Sequence, residues 1–285
     1  MSQNRVPKYI DGFPKSYALP ANGPTVDTVI IFVHGFGGKP TSTWTNFQGL
    51  VDDYSDKYPL WATSDMFFFA YESVRTPIRS NAVLFGDFVE YVWEGKWRGV
   101  DLPNAGARYK DLILVGHSEG GVIIRRLILD RFEAVSRKVK DQYDEADPVT
   151  LRAAMKVALT SDFILDSYLR LFAPACRGVN FSSWIGFLMS LSKLVSSMGA
   201  SLLVRNELEK DSPVLGTLQA GTESAHAEFR RIRSLFTEPL FGVPDQIVYT
   251  ESYKEEALKF DYGYDHFSVC TLSHEHLTPL EFVKK

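Results

Sequence analysis

Leu112-Ile113-Leu114-Val115-Gly116-His117-Ser118-Glu119-Gly120-Gly121, continued by Val122-Ile123-Ile124-Arg125-Arg126-Leu127, decides how this chain is read. A short apolar run stops at a G-x-S-x-G turn, and an apolar helical segment starts directly behind it. That order marks a serine raised on a sharp strand-to-helix corner, with a strained backbone and a helix N-terminus pointing back at the hydroxyl. Gly116 and Gly120 supply the room, because a Cβ at either position would crowd strand against helix. Ser118 then stands above the sheet, with the N–H of Glu119 and the helix dipole facing any negative charge that develops there. The plainer reading is a corner that happens to contain serine; the buried strand before it and the apolar helix after it argue against that reading.

Towards the N-terminus, Asp27-Thr28-Val29-Ile30-Ile31-Phe32-Val33 is a continuous apolar run, as in a strand covered on both faces. It ends in the glycine-rich loop His34-Gly35-Phe36-Gly37-Gly38, after which Thr41 to Trp44 begin a helix. Residues up to about Thr25 suit an edge strand or two. Met66 to Tyr71 is a second buried strand, and Ile78 to Trp93 carries apolar residues at helical spacing (Val83, Phe85, Phe88, Val89, Val92) that pack on the sheet. Towards the C-terminus, Asp141 to Asp147 is an acidic connector, Leu169 to Ala175 a strand, and Gln246 to Thr250 the last strand. Strands alternating with helices pair in parallel through right-handed crossovers. Such sheets hold their site in the loops at the carboxyl ends of the strands, where the His34 loop and Ser118 both lie.

Between about 181 and 241 the alternation breaks. Trp184, Phe187, Leu188, Leu191, Leu194, Met198 and Leu202 make one apolar stripe, with Ser190, Lys193 and Ser197 opposite. This is an amphipathic helix rather than a membrane span. Its plain reading is a helix packed on its own domain. The sharper one is a cap over the pocket, offering an apolar surface to an acyl chain or to a membrane interface as a peripheral contact. The division expected is a core of 1–180 and 242–285 with a helical cap or lid insertion over 181–241.

With 285 residues and 45% hydrophobic side chains the chain can bury a sizeable core. A net charge of −4, from 31 basic and 35 acidic residues, gives no electrostatic case for nucleic acid. Cys176 and Cys270 have neither metal-site nor disulfide-framework spacing and read as free buried thiols in a reducing compartment. The N-terminus lacks the apolar region of a secretory signal, so the expected location is cytoplasmic. No metal or cofactor is expected, and the sequence is silent on oligomeric state.

A serine hydroxyl needs an imidazole to take its proton and a carboxylate to orient that imidazole. Six histidines are available. His117 is expected to point away from its neighbour Ser118, His34 sits in the glycine loop, His226 in the cap, and His274 and His276 flank a polar turn. His266, on a late loop before a short apolar segment, is the candidate base. Glu251, the first carboxylate beyond Gln246–Thr250, is the candidate acid; Glu255 and Asp261 remain open, as does Asp265, while Asp245 stands at the wrong end of that strand. The oxyanion donors expected are the N–H groups of Phe36 and Glu119, with Gly37 in reserve for Phe36.

These motifs resemble the α/β-hydrolases, and within them the lipase-like serine esterases whose early loop reads HGFGG, whose elbow reads GHSxGG and whose base sits in a late DH dipeptide. The resemblance runs from Val29 to His266. It implies an α/β-hydrolase fold, with a mostly parallel central sheet, helices on both faces and a helical cap insertion. It also implies an acyl-enzyme on Ser118, hydrolysed by water activated through His266, on a small-molecule or lipid ester. Acyltransfer or thioester cleavage by the same residues is the alternative within enzymes, and a non-catalytic ligand- or partner-binding protein the alternative outside them. One departure is Glu119, a carboxylate beside the nucleophile that is expected to repel anionic substrates.

Overall fold

The computed structural model describes residues 5–21, 26–97, 109–183 and 202–284. In chain order its strands are β1 (Lys8–Tyr9), β2 (Tyr17–Leu19), β3 (Thr28–Val33), β4 (Ser64–Phe69), β5 (Asp111–His117), β6 (Tyr168–Phe172), β7 (Leu240–Val243) and β8 (Lys259–Tyr262). They form one eight-stranded sheet in the order β1-β2-β4-β3-β5-β6-β7-β8. β1 and β2 run antiparallel, and every pairing from β4 to β8 is parallel. All residues of β3 and β4 are buried. Since neighbours on a strand face opposite sides, the centre of the sheet is covered on both faces, as the unbroken apolar runs require.

The helices are α1 (Pro40–Thr43), α2 (Phe47–Asp53), α3 (Pro59–Ala62), α4 (Ile78–Trp93), α5 (Glu119–Gln142), α6 (Pro148–Ser161), α7 (Leu202–Leu208), α8 (Pro213–Glu228) and α9 (Thr278–Phe282). α4 and α6 both pack on α5. The acidic connector is shorter than its composition suggests: α5 runs on to Gln142, and Asp147 caps α6 by accepting from the N–H groups of Val149 and Thr150. In the core, Phe32 of β3 stacks on Phe68 of β4 at 4.8 Å and meets Trp44 and Phe47 at 5.0 and 5.1 Å. Side chains of this size each stabilise the fold by roughly 1.5–3 kcal/mol when buried.

One region differs from the expectation, and another lies partly outside the described residues. The last strands are β7 and β8, not Gln246–Thr250, whose contact is a single bridge from Val248 to Val179. Pro244 follows β7 directly, and a residue without an N–H cannot extend the ladder. The apolar stripe of 184–201 lies outside the described residues. Of the rest of the 181–241 span, α7 packs on α8, α8 packs on α5, and Leu240 and Phe241 already belong to β7. Among the described residues no helix is long and apolar enough to cross a membrane. Cys176 and Cys270 are free and buried.

Candidate active site

β5 delivers Ser118 and α5 begins at Glu119, so Ser118 is the corner itself. Its φ of 54° and ψ of −121° put a non-glycine residue in a strained backbone region. The corner is fixed on three sides. Ser118 N–H donates to Phe172 O at the end of β6, and Ser118 O accepts from the N–H groups of Gly121 and Ala175, each at 3.1 Å. Ser118 is 2% exposed. The glycine loop closes over it: a Cβ on Gly35 would lie 2.7 Å from Ser118 Cβ, so only glycine permits this approach.

The segment after β4 braces that loop. Tyr71 Oη donates to His34 O at 2.6 Å, the two rings stack at 4.3 Å, and Ser73 Oγ accepts from Gly37 N at 2.9 Å. With its N–H committed to Ser73, Gly37 is displaced as the reserve oxyanion donor. Burial, against a backbone hydrogen bond to Gly35, lowers the pKa of His34 to about 4.

His266 is 2% exposed, and its Nδ1 lies 3.0 Å from Asp245 Oδ2. Asp245 stands two residues beyond the carboxyl end of β7, with its side chain wholly buried. Its other oxygen accepts from Ile247 N at 2.9 Å and Val248 N at 3.2 Å, so both carboxylate oxygens are occupied. This corrects two expectations together. Glu251 does not reach His266: it is exposed and pairs with Arg177 at 3.1 Å and Lys210 at 3.6 Å, with its pKa lowered chiefly by the hydrogen bond from Arg177. Asp245, set aside because Gln246–Thr250 reads as the strand, follows the true strand and takes the place assigned to Glu251.

The other carboxylates are also engaged. Glu255 pairs with Arg230, Asp261 binds His276, and Asp265 accepts from the N–H groups of Phe267 and Ser268 to cap the turn after His266. The connection from β7 to β8 is anchored on α5 by a buried ion pair, Arg125 to Glu256 at 2.6 Å, with the guanidinium 4.3 Å over the Tyr253 ring. Leaving either charge of such a pair alone costs about 3–5 kcal/mol, so the segment that bears Asp245 is firmly tied down.

Glu119 is not the exposed carboxylate that the sequence suggests. It is 0% exposed, and its carboxyl lies against the Tyr71 hydroxyl. Burial first, then the charge of Glu207, raises its pKa well above the usual carboxylate value. Enclosed by protein and shifted towards its neutral form, it is not the open negative charge on which the expectation about anionic substrates rests.

A cavity of about 390 Å³ lies against His266, lined by Ser183, Pro244, Gln246, Ile247, Asp265 and Phe267. A larger one of about 760 Å³ opens beside Tyr168 and Lys259, where β6 and β8 begin, at the opposite end of the parallel strands from Ser118. Among the described residues, no three His, Cys, Asp or Glu side chains are grouped to hold a metal ion.

No protein-family model matches the chain, and no curated protein matches it. Among solved structures it is similar to the lipase BlEst2 of Bacillus licheniformis in its mature form, with a TM-score of 0.55 and 12% identity over 94% of this chain and 97% of that one. Esterase B of Lactobacillus rhamnosis also resembles it, at TM-score 0.47 and 12% identity over 98% of this chain and 82% of that one. For Est1E of Butyrivibrio proteoclasticus the TM-score is 0.46, with 15% identity over 99% and 96%. At 12% identity the likeness to BlEst2 speaks for the path of the chain, and the chemistry rests on the side chains.

Proposed function

We propose that this chain, whose fold is that of the α/β-hydrolases, is a serine hydrolase of carboxylic esters. Ser118 is the nucleophile, His266 the general base, Asp245 the carboxylate that orients it, and the N–H groups of Phe36 and Glu119 the oxyanion donors. The observation that carries this reading is the buried His266–Asp245 pair, with both carboxylate oxygens occupied and with His266 in contact with His117, the residue before the positive-φ Ser118.

The chemistry follows from these roles. As Ser118 Oγ attacks the ester carbonyl carbon, its proton passes to His266 Nε2. Asp245 keeps the other ring proton on Nδ1 and stabilises the imidazolium. The carbonyl oxygen, now an anion, is met by donors already in place at the head of α5 and in the glycine loop, so little reorganisation is needed as charge develops. His266 returns the proton to the departing alkoxide, which leaves as the alcohol. Water, deprotonated by the same imidazole, then attacks the acyl carbon and frees Ser118. The substrate class is a small-molecule or lipid ester.

The test is covalent labelling with a fluorophosphonate, beside turnover of p-nitrophenyl esters of graded chain length. Wild type is expected to label, Ser118→Ala not at all, and His266→Ala at a rate lower by about three orders of magnitude or more. A folded wild type that neither labels nor turns over an ester would mark the chain as a binding protein. Labelling and thioester cleavage or acyl transfer without ester hydrolysis would move the activity to a different acceptor or leaving group.

A further inference from the structure

Asp245 holds the ring of His266, but the main chain of His266 is held by a different residue. His117 Nε2 lies 2.8 Å from the carbonyl oxygen of His266, and the two rings face each other at 4.8 Å and 48°. A carbonyl oxygen only accepts, so Nε2 carries the ring proton and donates. Nδ1 then carries the lone pair, and it is buried without a partner. Burial, with the charge of His266 second, lowers the pKa of His117 to about 3, so across neutral pH the ring stays a neutral single donor. Trp44 meets its face edge-on at 6.4 Å.

The place of this bond in the chain gives it a consequence. His117 is the last residue of β5 and the covalent neighbour of Ser118. Its contact spans 149 residues and joins the nucleophile's corner to the loop of the base one residue away from the hydroxyl. Asp245 fixes which way the imidazole faces; it approaches from the end of β7 and makes no bond to β5. We infer that His117 is a positioning residue for the base, a neutral Nε2–H donor that holds the main chain of His266 in register with Ser118. This rests on the reading of Ser118 and His266 as nucleophile and base. Proton transfer needs heavy atoms about 2.6–3.2 Å apart, and a displacement of about 1 Å costs on the order of a hundredfold in rate.

The experiment compares wild type with His117→Leu, which removes the donor, and His117→Gln, whose amide N–H restores one. Fluorophosphonate inactivation rates, kcat and KM on a short p-nitrophenyl ester, and thermal midpoints are measured on each. The Leu variant is expected to lose about tenfold to a hundredfold in kcat and in labelling rate, with KM within about twofold. The Gln variant should recover most of that loss. The low-field proton resonance of the His266–Asp245 pair should shift or broaden with Leu and return with Gln. Should the Leu variant not fold, His117→Met, equally without a donor, takes its place. Equal rates in the Leu and Gln variants, or a loss that follows the thermal midpoint alone, overturn the inference. A wild type that labels at Ser118 beside a Leu variant that reacts as fast sinks this inference only, whereas an unlabelled wild type sinks the active-site reading beneath it.

Discussion

Two histidine–aspartate pairs stand close together near the end of this chain, and they differ in what the second ring nitrogen does. In His266–Asp245 the carboxylate takes Nδ1 at 3.0 Å and is itself held by two backbone N–H groups. In His276–Asp261 the carboxylate lies 2.8 Å from Nε2, while Nδ1 lies 2.8 Å from Thr271 O. Tyr264 covers that second ring at 3.6 Å. Both ring nitrogens of His276 are thus taken up by protein oxygens, and neither faces a space that a substrate could enter. The first pair leaves Nε2 available for chemistry; the second ties the C-terminal segment to β8. Burial and carboxylate contact are common to both, so neither feature alone identifies a base.

The contrast breaks most visibly at Asp245. In Asp245→Asn, the Asn carbonyl oxygen can keep the Ile247 and Val248 N–H groups, and its NH₂ then faces His266 Nδ1. Donor meets donor, the ring takes the other tautomer, and Nε2 carries a hydrogen where a lone pair is needed. A drop in kcat of about 10³–10⁴ is expected with little change in KM. Glu251→Gln is the paired control, expected within about twofold of wild type because exposed ion pairs such as those to Arg177 and Lys210 contribute little. Measuring kcat for both variants decides the assignment; a large loss in Glu251→Gln with Asp245→Asn intact would reverse it.

The reason Asp245 escapes a reading of the sequence is physical. Gln246-Ile247-Val248-Tyr249-Thr250 has the β-branched composition of a strand, and β-propensity reflects fit to a half-buried pleat rather than a commitment to one. The actual strand, Leu240–Val243, is short and contains Gly242, where a Cβ would collide with the carbonyl oxygens of Tyr264 and Asp265. Gly-Val-Pro-Asp carried the usable signal: Pro244 stops the ladder and the next side chain is the first beyond it. By contrast β3, α4 and the β5–α5 corner were legible, because long periodic or unbroken apolar runs leave few alternatives. Ser118 and His266 were legible as candidates from chain order and motif. The turn of His117 towards His266 was not, since no local pattern encodes a contact across 149 residues. Likewise β8 is mostly exposed and shows no apolar run to find.

The second pair sharpens the comparison from the side of stability. Asp261→Ala leaves a buried His276 N–H without its acceptor, a loss of about 1.5–3 kcal/mol for a hydrogen bond to a charged group. Thermal unfolding should show a midpoint lower by roughly 3–5 °C, while kcat stays within about threefold. A loss of kcat comparable to that of Asp245→Asn at an unchanged midpoint would give His276 a place in catalysis and remove the distinction between the pairs.

Glu119 extends the comparison to a wholly buried carboxyl, and here the effect is the smallest and depends on pH. Its folded-state pKa is raised by burial above the ordinary value of 4.5, so the native state holds this proton more tightly than the unfolded chain does. Below that ordinary value both states are protonated and the group has no influence on folding. As pH rises, the unfolded chain releases the proton while the native state retains it, so native stability declines until the folded group ionises as well. Glu119→Gln cannot ionise and escapes this decline. Its thermal midpoint should match wild type near pH 4 and exceed it by a growing margin towards pH 8. A midpoint difference for Glu119→Gln that stays constant with pH would mean that the fold holds this carboxyl's proton no more tightly than the unfolded chain does.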